Sequence, residues 1–447
     1  MEAMETSRRQ GAHAGELPPT KRRLALRLAV IGQCFGMPLW HCMITGGLAT
    51  LYALSQGVDA GDLGVAVTNA ALYLGIVALG LAPAMPQRDS RWTLVVFWGL
   101  SGLAALPLLA VPEVASRMGP RAALAVIAMS CMFYSGFYAA GVGGWTPLVH
   151  DLLPERVAPR FLGVLRMAWQ FVAFLAMLGV AALADAAGSS MLYRFAIGLL
   201  LAAHFVRLLF IALMPKRAGA SIEAAEHVPM WSLLKSKAYR RFFSFCALAS
   251  FLAALSLPSI YVYLVRRLGF GHNAVALLGA VGLLGGLVTF PLWGRLAQKR
   301  GVAAVYQAAR FTALVGLGLW VLPVVFQPDP AERRAGKALF LLAGLIFFAL
   351  RSADAGLSLA FARHAYRLRP KSANLPPSAL APAAQWGGAA LGVMAGGGFI
   401  ALAGPDSEAL GLRSYQWLFL VNALCLLAPL ALSPGEEIPA SANPKNA

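Results

Sequence analysis

The chain has 447 residues, of which 59% are hydrophobic and only 13% are charged. Its mean hydropathy of +0.68 excludes an ordinary soluble domain and indicates an integral membrane protein. Because backbone polar groups must be paired in hydrocarbon, the long apolar segments are predicted to be helices, and the sequence lacks the alternating pattern of an outer-membrane barrel.

A polar N-terminal tail, residues 1–27, leads into the first apolar segment, at about 28–51. This segment lacks a small-residue cleavage site, so we expect a retained membrane span rather than a removed signal peptide. Trp40 and His41 lie near its middle. An imidazole at this depth indicates either a proton-coupling or substrate-binding group, or a packed hydrogen bond to a neighbour.

Three further spans are predicted at about 63–81, 92–111 and 122–144. Tyr134, Tyr138 and Trp145 share one stripe of the fourth span, because their spacings of four and seven match the helical repeat. Their rings can stack on a solute or hydrogen-bond to it, and they also fit a helix core.

The fifth and sixth spans, at about 161–184 and 191–214, complete a first half at 28–214. A basic linker, residues 215–241, follows. The second half, residues 242–432, precedes a C-terminal tail at 433–447, and its spans lie near 242–264, 274–294, 303–326, 338–360, 383–403 and 416–432.

The two halves repeat one plan. Their fifth spans echo each other, with Trp169 and Gln170 in the first half and Gln385 and Trp386 in the second. We therefore predict an all-α membrane protein of twelve transmembrane helices in two pseudo-symmetric six-helix bundles. These four residues are candidate site residues.

Basic residues are distributed unevenly between the two sides of this plan. Of the 37 Lys and Arg residues, 23 fall in the tails, linker and loops of one side and eight on the other. The positive-inside rule then places both termini in the cytoplasm. The net charge of +18 thus needs no nucleic-acid partner, and the expected environment is the lipid bilayer of a bacterial cytoplasmic membrane.

With this arrangement of spans, the chain resembles the major facilitator superfamily over almost its whole length. Two loop motifs add to the resemblance. One is PLWGRLAQKRG, with Gly294, Lys299, Arg300 and Gly301 in place but Gln298 at the acidic position. The other is the fourth inner loop, with Asp151, Pro154, Arg160, Phe161, Gly163 and Arg166.

The resemblance implies that these loops take part in conformational switching and that the first, fourth, seventh and tenth spans line a central cavity. The first-half counterpart of the loop motif keeps only Gly80 and scattered charge. The fifth-span motif of proton-driven drug exporters is missing, which argues against a drug antiporter.

Ionisable residues inside the spans are costly and therefore informative. Arg351 and Asp354 lie three residues apart on the tenth span, with Ser358 one turn further. Arg351 could anchor an anionic group, with Asp354 as its counter-ion or a proton carrier. A structural ion pair, or a pair in the cytoplasmic vestibule, is the alternative.

Arg166, Arg207 and Arg310 lie about six or seven residues from predicted inner ends, so we interpret them as snorkelling to the cytoplasmic surface. If one of them faced the cavity with Arg351, the pathway would favour organic anions. Tyr261 and Tyr263, near the outer end of the seventh span, are interpreted as interfacial anchors, with gate residues as the alternative.

The predicted function is a secondary transporter that moves a small solute, an organic anion or sugar-like molecule, by alternating access with possible proton coupling. The alternatives are a transporter-like receptor or sensor and a polytopic membrane enzyme. The sequence lacks a nucleotide-binding P-loop and the H-E-x-x-H and G-x-S-x-G motifs. Its five cysteines lack metal-ligand spacing, so we expect no metal site. We also expect no cofactor and a monomer.

Overall fold

The computed structural model describes residues 18–56, 61–77, 90–152, 158–183, 189–215, 235–320, 336–367, 376–405, 407–409 and 412–426. These residues are almost entirely helical. The first half comprises α1 (Pro19–Ile44), α2 (Leu48–Ser55), α3 (Gly61–Val77), α4 (Ser90–Ala105), a 3-10 turn (Leu106–Ala110), α5 (Val111–Met118), α6 (Pro120–Leu152), α7 (Ala158–Leu183) and α8 (Ser189–Ala212).

The second half comprises α9 (Lys237–Ala254), α10 (Leu257–Val262), a π-helical turn (Tyr263–Arg267), α11 (His272–Leu319), α12 (Lys337–Arg367), α13 (Pro376–Ala403) and α14 (Ser414–Cys425). Between α13 and α14 the chain forms a small antiparallel pair that the sequence did not predict, β1 (Glu408–Ala409) with β2 (Leu412–Arg413). The predicted linker is described only at residue 215 and at 235–241.

Eight helices of the described chain are long and apolar enough to cross a membrane, or nine if α1 and α2 together form one bent span. One of the eight, α11, is 48 residues long and contains a break at Gly301, where φ is 83° and ψ is 174°. That backbone conformation suits glycine because a Cβ would be strained there. The chain is a multi-pass membrane protein.

The first span differs from the prediction at both ends. Its helix begins at Pro19, within the predicted tail, and bends by 58° between α1 and α2. Gly47 lies in the left-handed region, with φ of 73°, and a Cβ there would lie 2.3 Å from the Tyr261 ring. Glycine at this break therefore permits both the turn and the close approach of the second half.

Helix packing follows the same pattern in the two halves. The first and fifth spans pack together in each, as α1 with α7 and α9 with α13. Between the halves, α3 packs on α13 and α7 packs on α11. The second span of each half thus meets the fifth span of the other, which is the pairing that an internal repeat related by a pseudo-twofold axis produces.

The contact between α9 and α13 depends on three glycines spaced four residues apart. A Cβ at Gly388, Gly392 or Gly396 would lie 2.1, 2.2 or 1.8 Å from a backbone oxygen of the facing chain, at Ala247, Phe251 and Leu255 respectively. Small residues at this spacing allow two helix backbones to approach closely. The stripe fixes α13 against α9, while α13 also packs on α3 of the first half.

Candidate functional site

A cavity of about 300 Å³ lies between the two halves. Its described lining residues come from α1, α3 and α7 of the first half and from α9 to α13 of the second, with Leu426 just after α14. The lining has three guanidinium groups, from Arg166, Arg310 and Arg351, and one carboxylate, from Asp354.

Arg351 and Asp354, the candidate pair of the tenth predicted span, both line this cavity. Arg351 is 7% exposed, and its Nη2 donates a 2.7 Å hydrogen bond to the Thr45 carbonyl oxygen. Asp354 is exposed within the cavity. Arg351 and Asp354, both among the described residues, do not form an ion pair with each other.

Arg166 and Ser358 join the two halves across the cavity. The Nη2 of Arg166, on α7, donates a 2.7 Å hydrogen bond to the Ser358 hydroxyl on α12. The guanidinium carbon also lies 4.9 Å from the centroid of the Phe290 ring. Arg166 belonged to the predicted loop motif, but its side chain lies in the cavity.

Arg310 reaches the cavity from the part of α11 that follows Gly301. It is 2% exposed, and its guanidinium carbon lies 4.5 Å from the Phe245 ring centroid. The snorkelling interpretation is therefore wrong for Arg310. It is also wrong for Arg207, which is completely buried inside the first half.

Aromatic side chains line a second part of the cavity. The Trp386 ring, on α13, has its centroid 6.3 Å from that of Trp40 and 5.4 Å from that of Tyr73. Trp40 and Trp386 were predicted site residues, whereas Tyr73 was missed because one tyrosine in an apolar segment has no distinguishing signal. Gln385 also lines the cavity.

His41 and Trp169 lie next to each other in the lining, with ring centroids 5.9 Å apart. Both ring nitrogens of His41 and the Trp169 indole nitrogen are buried and have no hydrogen-bond partner within the described chain. Buried polar groups are normally paired, so these three atoms are candidate contacts for a bound solute.

Four predicted site residues lie outside the described lining. Tyr134 and Tyr138 are buried behind Trp40, with centroids 6.1 and 4.5 Å from its ring, and Trp145 lies against Trp98. Gln170 donates a 3.4 Å hydrogen bond to the Leu283 carbonyl oxygen between α7 and α11. No described lining residue comes from α6, so the expected lining role of the fourth span is not observed.

The predicted loop residues are described unevenly. Pro154 lies outside the described residues, and only the helical backbone of Asp151 and Arg160 is described. Gly163 and Gly294 have open space where a Cβ would be. Lys299 and Arg300 are exposed just before the break at Gly301. Of this set, Gly301 alone has a backbone conformation that favours glycine.

The halves also touch at one end of the bundle, which we call the outer end and define by the α1–α2 break and the start of α11. There Tyr261 donates a 3.3 Å hydrogen bond to the Thr45 carbonyl oxygen, and the Tyr193 hydroxyl lies 3.1 Å from His272 Nδ1. A Cβ at Gly279 would lie 2.5 Å from the Gly46 carbonyl oxygen. These contacts close the outer end.

Tyr261 and Tyr263 are 1% and 2% exposed, so their interpretation as interfacial anchors is wrong. Tyr261 instead contacts the opposite half, while Tyr263 packs within the second half against Tyr415 and Phe419.

Neither protein-family models nor curated proteins match this sequence. Solved structures match its fold. The nucleoside transporter NupG has a TM-score of 0.63 at 14% identity, over 92% of this chain and 98% of that one. The structure of the xylose transporter XylE from E. coli, in a partially occluded inward-open conformation, has a TM-score of 0.63 at 15% identity. The match covers 93% of this chain and 100% of that one.

A bacterial homologue of the iron transporter ferroportin, in an inward-facing state, gives a TM-score of 0.61 at 16% identity, over 91% of this chain and 97% of that one. At such identities the likeness establishes the fold, and the helix pairing and central cavity agree with it. This chain has the same fold as these membrane transporters.

Proposed function

We propose that this protein is a secondary transporter that carries a small solute across a membrane by alternating access. The observation that carries the proposal is a central cavity between two similarly packed halves, with charged side chains from both halves in its lining. Charged groups within membrane spans are costly, and in such a cavity they mark a solute or ion pathway.

Twelve spans in two six-helix bundles, at 28–214 and 242–432, are part of this proposal. The described helices support this number in three ways. The helix α11 contains two segments on either side of Gly301, α1 and α2 form a bent pair, and α3 is a shorter apolar helix. We propose a monomer in a bacterial cytoplasmic membrane with both termini in the cytoplasm.

The closed outer end supports an alternating mechanism. Hydrogen bonds from Tyr261 and Arg351 to the Thr45 carbonyl oxygen hold the two halves together there. Opening that end must break these contacts, while the opposite end must close. A neutral hydrogen bond such as that of Tyr261 contributes about 0.5–1.5 kcal/mol, and one from a charged group such as Arg351 about 1.5–3 kcal/mol. A bound solute can therefore shift the balance between two such states.

Asp354 is the proposed proton carrier. It is the one carboxylate among the described lining residues, and it acts electrostatically on Arg166 and Arg351. Protonation of Asp354 would change the net charge of the cavity, so that proton and solute binding become linked.

The experiment is transport by the purified full-length chain in proteoliposomes. Solutes that raise its melting temperature are identified first, because selective binding stabilises the folded state. Counterflow of such a solute, exchanging labelled for unlabelled molecules across the membrane, is the expected result. A solute that binds but does not exchange would refute transport and would favour a receptor, and chemical conversion of the solute would favour an enzyme.

A further inference from the structure

We infer that the solute combines an anionic oxygen group with a flat, unsaturated ring, as in an aromatic carboxylate or an aromatic phosphate. This inference rests on the proposed function, since it names the class of solute that the same cavity takes. The sequence alone left open an organic anion or a sugar-like molecule.

The charge of the cavity favours an anionic solute over a neutral or cationic one. Three guanidinium groups face one carboxylate among the described lining residues, which leaves a net charge of two positive with His41 neutral. Two of the three arginines are nearly inaccessible to solvent, Arg310 at 2% and Arg351 at 7% exposed. Buried positive charge in excess of negative charge is stabilised by an anion that supplies charge-assisted hydrogen bonds.

Arginine is suited to this role because its planar fork matches the two oxygens of a carboxylate or phosphate. Arg166 and Arg351 each donate one observed hydrogen bond to a neutral acceptor, the Ser358 hydroxyl and the Thr45 carbonyl oxygen. An anion is a stronger acceptor than either, so it can replace these bonds when it binds. Binding of the anion would thereby break the hydrogen bond between Arg351 and the Thr45 carbonyl oxygen at the outer end.

The ring preference follows from the aromatic part of the lining. Trp386 meets Trp40 edge-on, with an interplanar angle of 84°, and it lies tilted by 32° against Tyr73. These side chains come from α13, α1 and α3, so both halves contribute. Flat faces of indole and phenol rings bind other flat rings by offset or edge contacts, and such aromatic pairs add about 0.5–1.5 kcal/mol beyond the area that they bury.

Size supports the same class of solute. A volume of about 300 Å³ is at the small end of ligand pockets, which usually measure roughly 300 to 1,000 Å³. One ring system with a short anionic arm fits this volume, and a long oligosaccharide does not.

The test compares matched ligands on the purified full-length chain by thermal shift and calorimetry. Indole-3-acetate, benzoate and phenyl phosphate represent flat-ring anions. Cyclohexylacetate keeps the charge without the flat ring, indole-3-acetamide keeps the ring without the charge, and tryptamine reverses the charge. We expect at least one flat-ring anion to bind more tightly than all three comparison compounds.

Variants then test separately whether the arginines bind the anionic group and whether the aromatic side chains bind the ring. Arg310→Gln should weaken binding of the flat-ring anion by about 10- to 100-fold, as expected for a lost hydrogen bond to a charged group, while Arg117→Gln, at an exposed site, should not. Trp386→Leu should weaken it by about 2- to 10-fold without changing the affinity for cyclohexylacetate. Phe399→Leu, a partly exposed site on the same helix, is its control.

Stronger stabilisation by tryptamine, by indole-3-acetamide or by cyclohexylacetate than by every flat-ring anion would overturn the inference, and so would the lack of stabilisation by every flat-ring anion. These results leave the proposed function intact if the solute that does bind is exchanged in proteoliposomes. Conversely, a flat-ring anion that binds but is not exchanged would support the inference and refute transport.

Discussion

Two groups of buried arginines have opposite surroundings. Arg207 lies inside the first half, with its guanidinium carbon 3.1 Å from the Trp98 ring centroid and 5.3 Å from that of Tyr138, and it donates to the Gln33 side chain. Arg351 and Arg310 lie in the wall of the cavity between the halves. All three are less than a tenth exposed.

The difference teaches that burial of a charge inside a membrane span does not by itself identify a transport site. Arg207 meets two aromatic faces and an amide, all within the first half. Arg351 and Arg310 face space that a solute can enter. Replacing the first kind of arginine should affect stability, whereas replacing the second should affect binding and transport.

The largest expected effect in the cavity concerns the carboxylate. Asp354→Asn should abolish uphill, pH-driven accumulation and retain solute exchange, because an amide binds solute but cannot carry a proton. Uptake and exchange in proteoliposomes measure both. Glu113→Gln, which removes the carboxylate of the partly exposed pair with Arg194, is the matched control and should behave as the wild type. Unchanged accumulation by Asp354→Asn would refute the proton role.

The next largest effect tests the cavity arginine itself. Arg351→Lys should weaken binding of the transported anion by about tenfold, since lysine keeps the charge but loses the planar two-point fork. Calorimetry on the purified chain measures the affinity. Arg207→Lys is the matched substitution inside the first half and should leave affinity unchanged. Equal affinity of both variants would remove the distinction between the two groups.

The same comparison predicts a stability effect in the first half. Arg207→Ala should lower the free energy of unfolding by about 2 to 4 kcal/mol, because it leaves a cavity beneath Trp98 and Tyr138. A lower melting temperature with unchanged anion affinity is the expected result. Loss of affinity without loss of stability would place Arg207 in the solute pathway instead.

A smaller stability effect separates the two sides of α13. Gly392→Val should destabilise the protein by about 1–3 kcal/mol, because the added side chain meets the Phe251 carbonyl oxygen of the facing helix. Gly398→Val, on the same helix with open space at its Cβ, should have little effect. Equal melting temperatures of the two variants would contradict the close approach of α9 and α13.

Much of the fold could be predicted from the sequence, because long apolar segments follow directly from the chemistry of the bilayer. The bend near Gly47 and the merging of helices around Gly301 could not, since each depends on how neighbouring helices pack. The spacing of Gly388, Gly392 and Gly396 was a signal that the sequence analysis did not use.

The candidate site was predicted only in part, for a physical reason. Helical periodicity indicates which residues share a face, as with Arg351 and Asp354, but not which direction that face points. In a soluble helix the polar face identifies the solvent side, whereas a membrane helix is apolar on nearly every side. Arg166, Arg207 and Arg310 therefore had equivalent sequence contexts, and only the packing of their helices distinguishes them.

The most direct test of the central claim measures two distances across the cavity in one protein. Spin labels at Met118→Cys and Leu402→Cys, both highly exposed at the outer end, report its opening. Labels at Leu24→Cys and Lys237→Cys, both exposed at the start of α1 and α9, report the opposite end. Both pairs are placed in a background that lacks the five native cysteines. Pulsed electron resonance in nanodiscs, with and without the transported solute and across pH, should find that one distance lengthens as the other shortens. Distances that stay fixed under all conditions, or that change together, would contradict alternating access around this cavity.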